Sequence, residues 1–166
     1  MKTRLLIVGA AIVSSFSFGM PAAKADETHC YTLGSFKGTY AVIGTYGAHI
    51  AVAIGIRHYD GAGNFTATFT LNEPTPGSPT GARTIVTGTQ IGTYTVNCDG
   101  TGVSTRTLMT SNGIVAVGMD DFLITKATMQ EDGQLIATAL EDAQRTPSAI
   151  VPGGIFLTRS FTRRPD

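Results

Sequence analysis

Apolar and polar positions alternate along this chain in short runs, and turn residues separate the runs. The clearest run sets Phe65, Ala67, Phe69 and Leu71 against Thr66, Thr68 and Thr70. A two-residue period is that of a strand with one buried face and one wet face. The turns repeat as well: Asp60-Gly61-Ala62-Gly63, then Asp99-Gly100-Thr101-Gly102, then the shorter Glu131-Asp132-Gly133. Asp bends the chain by accepting hydrogen bonds from the backbone just after it, and Gly takes the positive φ of a tight hairpin. The pattern predicts an antiparallel meander.

Strands are expected over residues 36–46, 48–59, 64–71, 103–110, 114–118, 122–129, 134–141 and 155–163. Residues 83–91 and 93–98 form one bent strand or two, divided at Gly92. The run 48–59 presents Ile50, Val52, Ile54 and Ile56 on one face and Ala51, Ala53 and Gly55 on the other. The inner face is expected to hold Val42, Ile54, Phe65, Phe69, Tyr94, Phe122 and Leu157. Residues 72–81, with three prolines and two glycines, form an irregular loop that serves as a lid or lies on the surface. Residues 139–145 allow one helical turn at most.

The fold class that follows is all-β: a single small antiparallel up-and-down β-barrel of eight to ten strands. Sequential hairpins favour it over a sandwich, and closure removes exposed edges. Gly38, Gly44, Gly55, Gly88 and Gly92 inside strands fit the kinks a small barrel needs. An outer-membrane barrel would carry aromatic girdles and a lipid-compatible outer face. Trp is absent and one strand face is repeatedly Thr, Ser or Asn, so the chain is read as not an integral membrane protein.

The N-terminus changes the picture. Lys2 and Arg4 precede an apolar stretch from Leu5 to Phe18, and Ala23-Lys24-Ala25 supplies a small-x-small cleavage site. Residues 1–25 are read as a signal peptide and 26–166 as the β-barrel domain, exported to a periplasmic or extracellular location. In that setting Cys30 and Cys98 are expected to form a disulfide, with Cys98 pointing toward the buried face after Tyr94 and Val96. The chain has 12 basic and 12 acidic residues, and three of the basic ones lie in the leader. The weakly acidic remainder, with its arginines dispersed, argues against a nucleic-acid partner.

Gly38-x-Tyr40, Asp60-Gly61-x-Gly63-Asn64-Phe65, Gly92-Thr93-Tyr94-x-Val96 and Cys98-Asp99-Gly100-x-Gly102 carry a resemblance. Over residues 36–110 the chain resembles a group of exported bacterial proteins whose barrels are similar to lipocalin-like (calycin) and allene oxide cyclase-like barrels. The first strand has Gly38-Thr39-Tyr40 where lipocalins proper carry Gly-x-Trp. The resemblance implies a small barrel with an apolar interior.

Candidate chemistry is sparse. His29, His49 and His58 are not spaced for a shared metal, and no metal or cofactor is expected. Asp60, Asn64, Asp99 and Asp132 are explained by turns rather than by a calcium loop. No Gly-x-Ser-x-Gly elbow occurs. His58 shares the face of Ile54 and Ile56 and is a candidate for a cavity mouth. Arg159 falls in phase with Ile155, Leu157 and Phe161, and Lys126 lies near Phe122 and Ile124. Both are expected at the barrel rim, reaching water. For Arg159 the alternatives are an ion pair with Asp120, Asp121 or Glu141, or the anchoring of a ligand carboxylate. The leading expectation is a secreted barrel that binds a small apolar ligand in its interior or mouth, through Tyr40, His58, Tyr94 and Arg159. The alternatives are an isomerase- or cyclase-type enzyme on the same residues, and a structural envelope protein whose barrel is filled.

Overall fold

The computed structural model describes residues 30–151 and 153–165; the expected signal peptide and His29 lie outside the described residues. Eight strands follow in chain order: β1 (Gly38–Tyr46), β2 (Ala51–Tyr59), β3 (Asn64–Pro74), β4 (Arg83–Val96), β5 (Thr101–Thr110), β6 (Val115–Met129), β7 (Leu135–Gln144) and β8 (Leu157–Arg163). Each pairs antiparallel with the next, and β8 returns to β1, so the sheet closes as an up-and-down barrel. Closure leaves no sheet edge among these strands.

The Asp-Gly turns form as the residues dictate. Asp60 Oδ1 accepts from the Ala62 and Asn64 amides at 2.7 and 2.9 Å, and Asp99 Oδ1 accepts from the Thr101 amide at 2.9 Å. Asp132 repeats the contact with the Gln134 amide. The following glycines take positive φ, +86° at Gly100 and +83° at Gly133. A Cβ on Gly100 would also lie 2.9 Å from the Tyr31 ring, whereas one on Gly133 would meet open space. Gly100→Val is therefore expected to cost more than Gly133→Val, and at least about 1 kcal/mol. Urea midpoints of the two variants check this; equal losses would show that the Tyr31 contact is irrelevant.

Several boundaries differ from the expected ones. Gly92 does not divide β4: it sits between Phe65 on β3 and Arg106 on β5, and its missing Cβ admits the Phe65 ring. Residues 114–118 and 122–129 are one strand of 15 residues. Residues 139–144 are extended, because Leu140 and Asp142 alternate into the barrel. The first three residues of the expected irregular loop join the hairpin, since β3 runs to Pro74; residues 75–81 are irregular as expected, and the Thr75 amide bonds the Ala82 carbonyl at 2.8 Å across their base.

The largest correction concerns β2. Ala51, Ala53, Gly55, Arg57 and Tyr59 face inward, while Val52, Ile54, Ile56 and His58 face out. An eight-stranded barrel is just wide enough to be filled by side chains, so a strand opposite large aromatics must present small ones. Ile54 is accordingly 64% exposed. The other expected inner residues, Val42, Phe65, Phe69, Tyr94, Phe122 and Leu157, do pack into the interior clusters.

Candidate functional site

The barrel interior is built in three layers. At one end Tyr40, Tyr59, Phe65, Tyr94, Phe122 and Phe161 surround Phe36, which a short 3₁₀ turn (Leu33–Phe36) inserts as a plug. The Phe36 ring lies 5.0–5.3 Å from those of Phe122, Tyr94 and Tyr59, at the tilted and edge-on angles that aromatic pairs prefer. At the other end Tyr46, Ala51, Leu71, Val86, Leu108 and Leu157 meet Ile150 and Val151. That second plug is held by Ser148, whose Oγ accepts from the amides of both residues at 3.1 Å.

The middle layer is charged. Arg57, Arg106, Arg159, Asp120 and Asp142 are all buried, with Gln90 and Ser104 beside them. Arg159 is 5% exposed and forks onto Asp142, Nε to Oδ1 at 2.8 Å and Nη2 to Oδ2 at 2.6 Å. Its Nη2 also lies 2.7 Å from Asp120 Oδ2, the oxygen that accepts from Arg106 Nη1. Ser104, directly opposite Asp120 in the ladder, donates to the same oxygen. Room for these chains comes from glycine: Gly44 faces Arg159 across β1–β8, and Gly118 faces Arg106 across β5–β6. A Cβ would come within 3.2 Å of Arg159 Cγ at the first and 3.0 Å of Arg106 Cζ at the second.

Arg57 differs from the other two. Its guanidinium lies 4.2 Å from the Phe65 ring centroid and 4.9 Å from that of Phe161. It donates to Gln90 Oε1 at 2.9 Å and to the Tyr59 hydroxyl at 3.3 Å, and no carboxylate of the described residues is in ion-pair range. Burial lowers its pKa. Burial also lowers that of Arg106, and the like charges of Arg159 and Arg57 add to the effect. Glu73, inward on β3 but close to the aliphatic end, has its pKa raised by burial and makes no ion pair with these arginines.

The four expected ligand-binding residues do not converge. Tyr40 and Tyr94 lie in the aromatic layer, and both hydroxyls are committed to the fold. Tyr40 donates to the Ala137 carbonyl at 2.7 Å, and Tyr94 to the Leu33 carbonyl at 2.9 Å, which pins the 3₁₀ plug. Burial pushes both phenols up to about 12. His58 is outside the barrel, its Nδ1 3.3 Å from Thr39 Oγ1. Arg159 is not at the rim: it is the centre of the ion-pair layer, with Asp120 and Asp142 as partners, while Asp121 pairs with Arg145 on the surface. Lys126 is exposed, because a register irregularity at Ile124–Ala127 turns it out of phase with Ile124.

Arg57, Arg106 and Asp142 were not among the expected site residues. Asp142 is hidden by reading 139–145 as a helical turn, and Arg57 by assigning the Ile face of β2 inward. The signal for both is parity: Arg57 is in phase with Tyr59, and Asp142 with Leu140.

The Cys30–Cys98 disulfide is formed, and both cysteines are exposed. β4 ends at Val96, so Cys98 lies in the turn instead of continuing the buried alternation. The Tyr31 amide bonds the Cys98 carbonyl at 3.2 Å, which fastens the segment leading to Phe36.

The outer wall is the second candidate surface. Three rows cross it: Ile43–Ile54–Thr70–Thr87, then Ala41–Ile56–Thr68–Thr89–Met109–Val115, then His58–Thr66–Ile91–Thr107–Val117. No Asp, Glu, Lys or Arg interrupts these rows, and Ile43, Ile54, Ile91, Val115 and Val117 are each more than half exposed. No protein-family model matches the chain, and no curated protein matches it. The barrel agrees with a lipocalin-like fold in strand number and order, but its interior is charged at mid-height where the resemblance implies an apolar one.

Proposed function

We propose that this protein is an exported structural module, a filled and plugged barrel that works through its outer wall by associating with a second copy of itself. The observation that carries the reading is the contrast between the two faces of the sheet. The interior holds three arginines, two aspartates and Glu73, and the space beside Arg57 and Arg159 measures about 30 Å³, while small-molecule sites occupy roughly 300 Å³ or more. The exterior carries the continuous uncharged rows of Ile, Val, Met and Thr. The N-terminal leader pattern and the exposed disulfide support export.

A second copy fits the wall by charge and by size. Two identical charge-free faces meet without like-charge repulsion and without desolvating ions, as an isologous pair requires. Strands spaced about 4.8 Å apart and rising about 3.3 Å per residue give β2–β6 an unrolled wall of about 600 Å². Stable interfaces bury about 800 Å² per partner, and protruding side chains raise the accessible area above that of the unrolled backbone sheet. An apolar groove over Ile54, Ile56, Phe69 and Met109 supplies relief for interlocking.

Sedimentation velocity of the mature chain is expected to show a dimer at micromolar concentration. Ile54→Glu should place two carboxylates against an apolar partner face and return the chain to monomer, with an unchanged far-ultraviolet spectrum. A wild-type monomer at 100 μM (roughly the weak end of specific affinity) would overturn the proposal. Native mass spectrometry separates it from the interior-ligand reading: an apolar molecule co-purifying with the chain would favour the latter.

A further inference from the structure

The middle layer of the barrel does not balance its charge. Arg57, Arg106 and Arg159 face Asp120 and Asp142, the third buried carboxylate, Glu73, lies beyond Leu71 toward the aliphatic end, and among the described residues Arg57 has no carboxylate in ion-pair range. An uncompensated buried charge costs several kcal/mol, and a guanidinium escapes that cost poorly by losing a proton. Three donors in the layer are also unmet, Arg57 Nε, Arg106 Nε and Arg159 Nη1, against one unmet acceptor, Asp120 Oδ1; two of the three donors belong to Arg57 and Arg159.

Both arginines line the same void. It measures about 30 Å³ and is bounded by Tyr46, Ala53, Gly55 and Gln90 as well as Arg57 and Arg159, and its lining extends between β2 and β3 to Ile54, Ile56 and Thr68 of the outer face. The space exists because β2 presents Ala53 and Gly55 inward where other strands present large side chains. One water needs about 10–15 Å³ of such volume, so the void accepts a sphere of water or halide size and is far below the roughly 300 Å³ of a small-molecule site. A neutral water would satisfy donors and leave the charge. A monovalent anion does both.

We infer that the barrel interior is a binding site for one small monovalent anion of the halide class, held between Arg57 and Arg159. Gln90 and the Phe65 and Phe161 rings fix the Arg57 guanidinium on one side, and Asp142 fixes that of Arg159 on the other. The anion is a structural ligand that completes the charge layer, independent of what the outer wall binds.

Thermal melts of the full mature chain, refolded in sodium gluconate, chloride or bromide at matched ionic strength, test this. A ligand that binds only the folded state adds about 1.4 kcal/mol per tenfold rise above its dissociation constant, or about 4 °C for a domain of this size. The expected result is that rise in chloride and bromide and a flat line in gluconate. Arg57→Met removes the unpaired charge, Ala53→Val fills the void without changing charge, and each should abolish the halide dependence. A bromide-soaked crystal should show an anomalous peak between Arg57 and Arg159. Equal melting in the three salts, a halide effect surviving in Ala53→Val, or the absence of that peak would overturn the inference. If Arg57→Met does not fold, Ala53→Val and the bromide peak decide.

Discussion

Asp120→Asn is expected to lower stability by about 3–5 kcal/mol, the loss that follows when one partner of a buried ion pair is removed. Asp120 is fully buried and receives Arg106, Arg159 and Ser104 on a single oxygen. With it neutral, three arginines share Asp142 alone. Total stabilities of single domains are about 5–15 kcal/mol, so the variant should melt well over 10 °C lower and sit close to unfolding at 37 °C. Arg159→Met should act in the same direction by about 3 kcal/mol or more, because it strands Asp142. Replacing a whole pair with apolar residues, as in Arg106→Met with Asp120→Leu, should recover much of the loss, since the desolvation cost disappears with the charges. Chemical denaturation of the three variants decides. An Asp120→Asn protein that melts within a few degrees of wild type would show that the layer is not ionised as described.

Cys98→Ser is expected to lower stability by about 4 kcal/mol, the loop-closure entropy of a bridge spanning 68 residues. Both cysteines are exposed, so the substitution removes a cross-link and little packing. The bridge lies one residue before Tyr31 and six before Phe36, so its loss also frees the plug of the aromatic end. Cys30→Ser and the double variant should match Cys98→Ser, and dithiothreitol should bring the wild type to the same melting temperature. Two titratable thiols per chain in native protein, or a melt indifferent to reductant, would contradict this.

The surfaces and the interior of this barrel have exchanged some of their usual chemistry. Aliphatic side chains lie outside on β2 and β6, and ionic ones lie inside on β2, β5, β6, β7 and β8. The arrangement is tolerable inside because each aspartate neutralises an arginine and each end is sealed by an apolar plug. Outside, it leaves rows of Ile and Val in water, and a partner surface relieves that cost.

What the sequence determined by itself is the local geometry. Asp60, Asp99 and Asp132 bond their own turns, the next glycines take positive φ, and the alternation between them has only a two-residue period to follow. Those are short-range facts, and they suffice for an all-β meander; the cysteine pair follows instead from there being two cysteines in a chain that begins with a leader pattern. Alternation says that two faces differ without saying which one is inside. On β3 the choice was legible, because phenylalanines oppose threonines. On β2 both faces were apolar, and only closure of an eight-stranded barrel decided it: the interior cross-section had room for Ala53 and Gly55 beside Phe69, and none for Val52, Ile54 and Ile56. The same closure brought Arg57, Arg106, Asp120, Asp142 and Arg159 together from five strands. Their meeting depends on stagger across the whole barrel, a long-range quantity that no window of neighbouring residues contains.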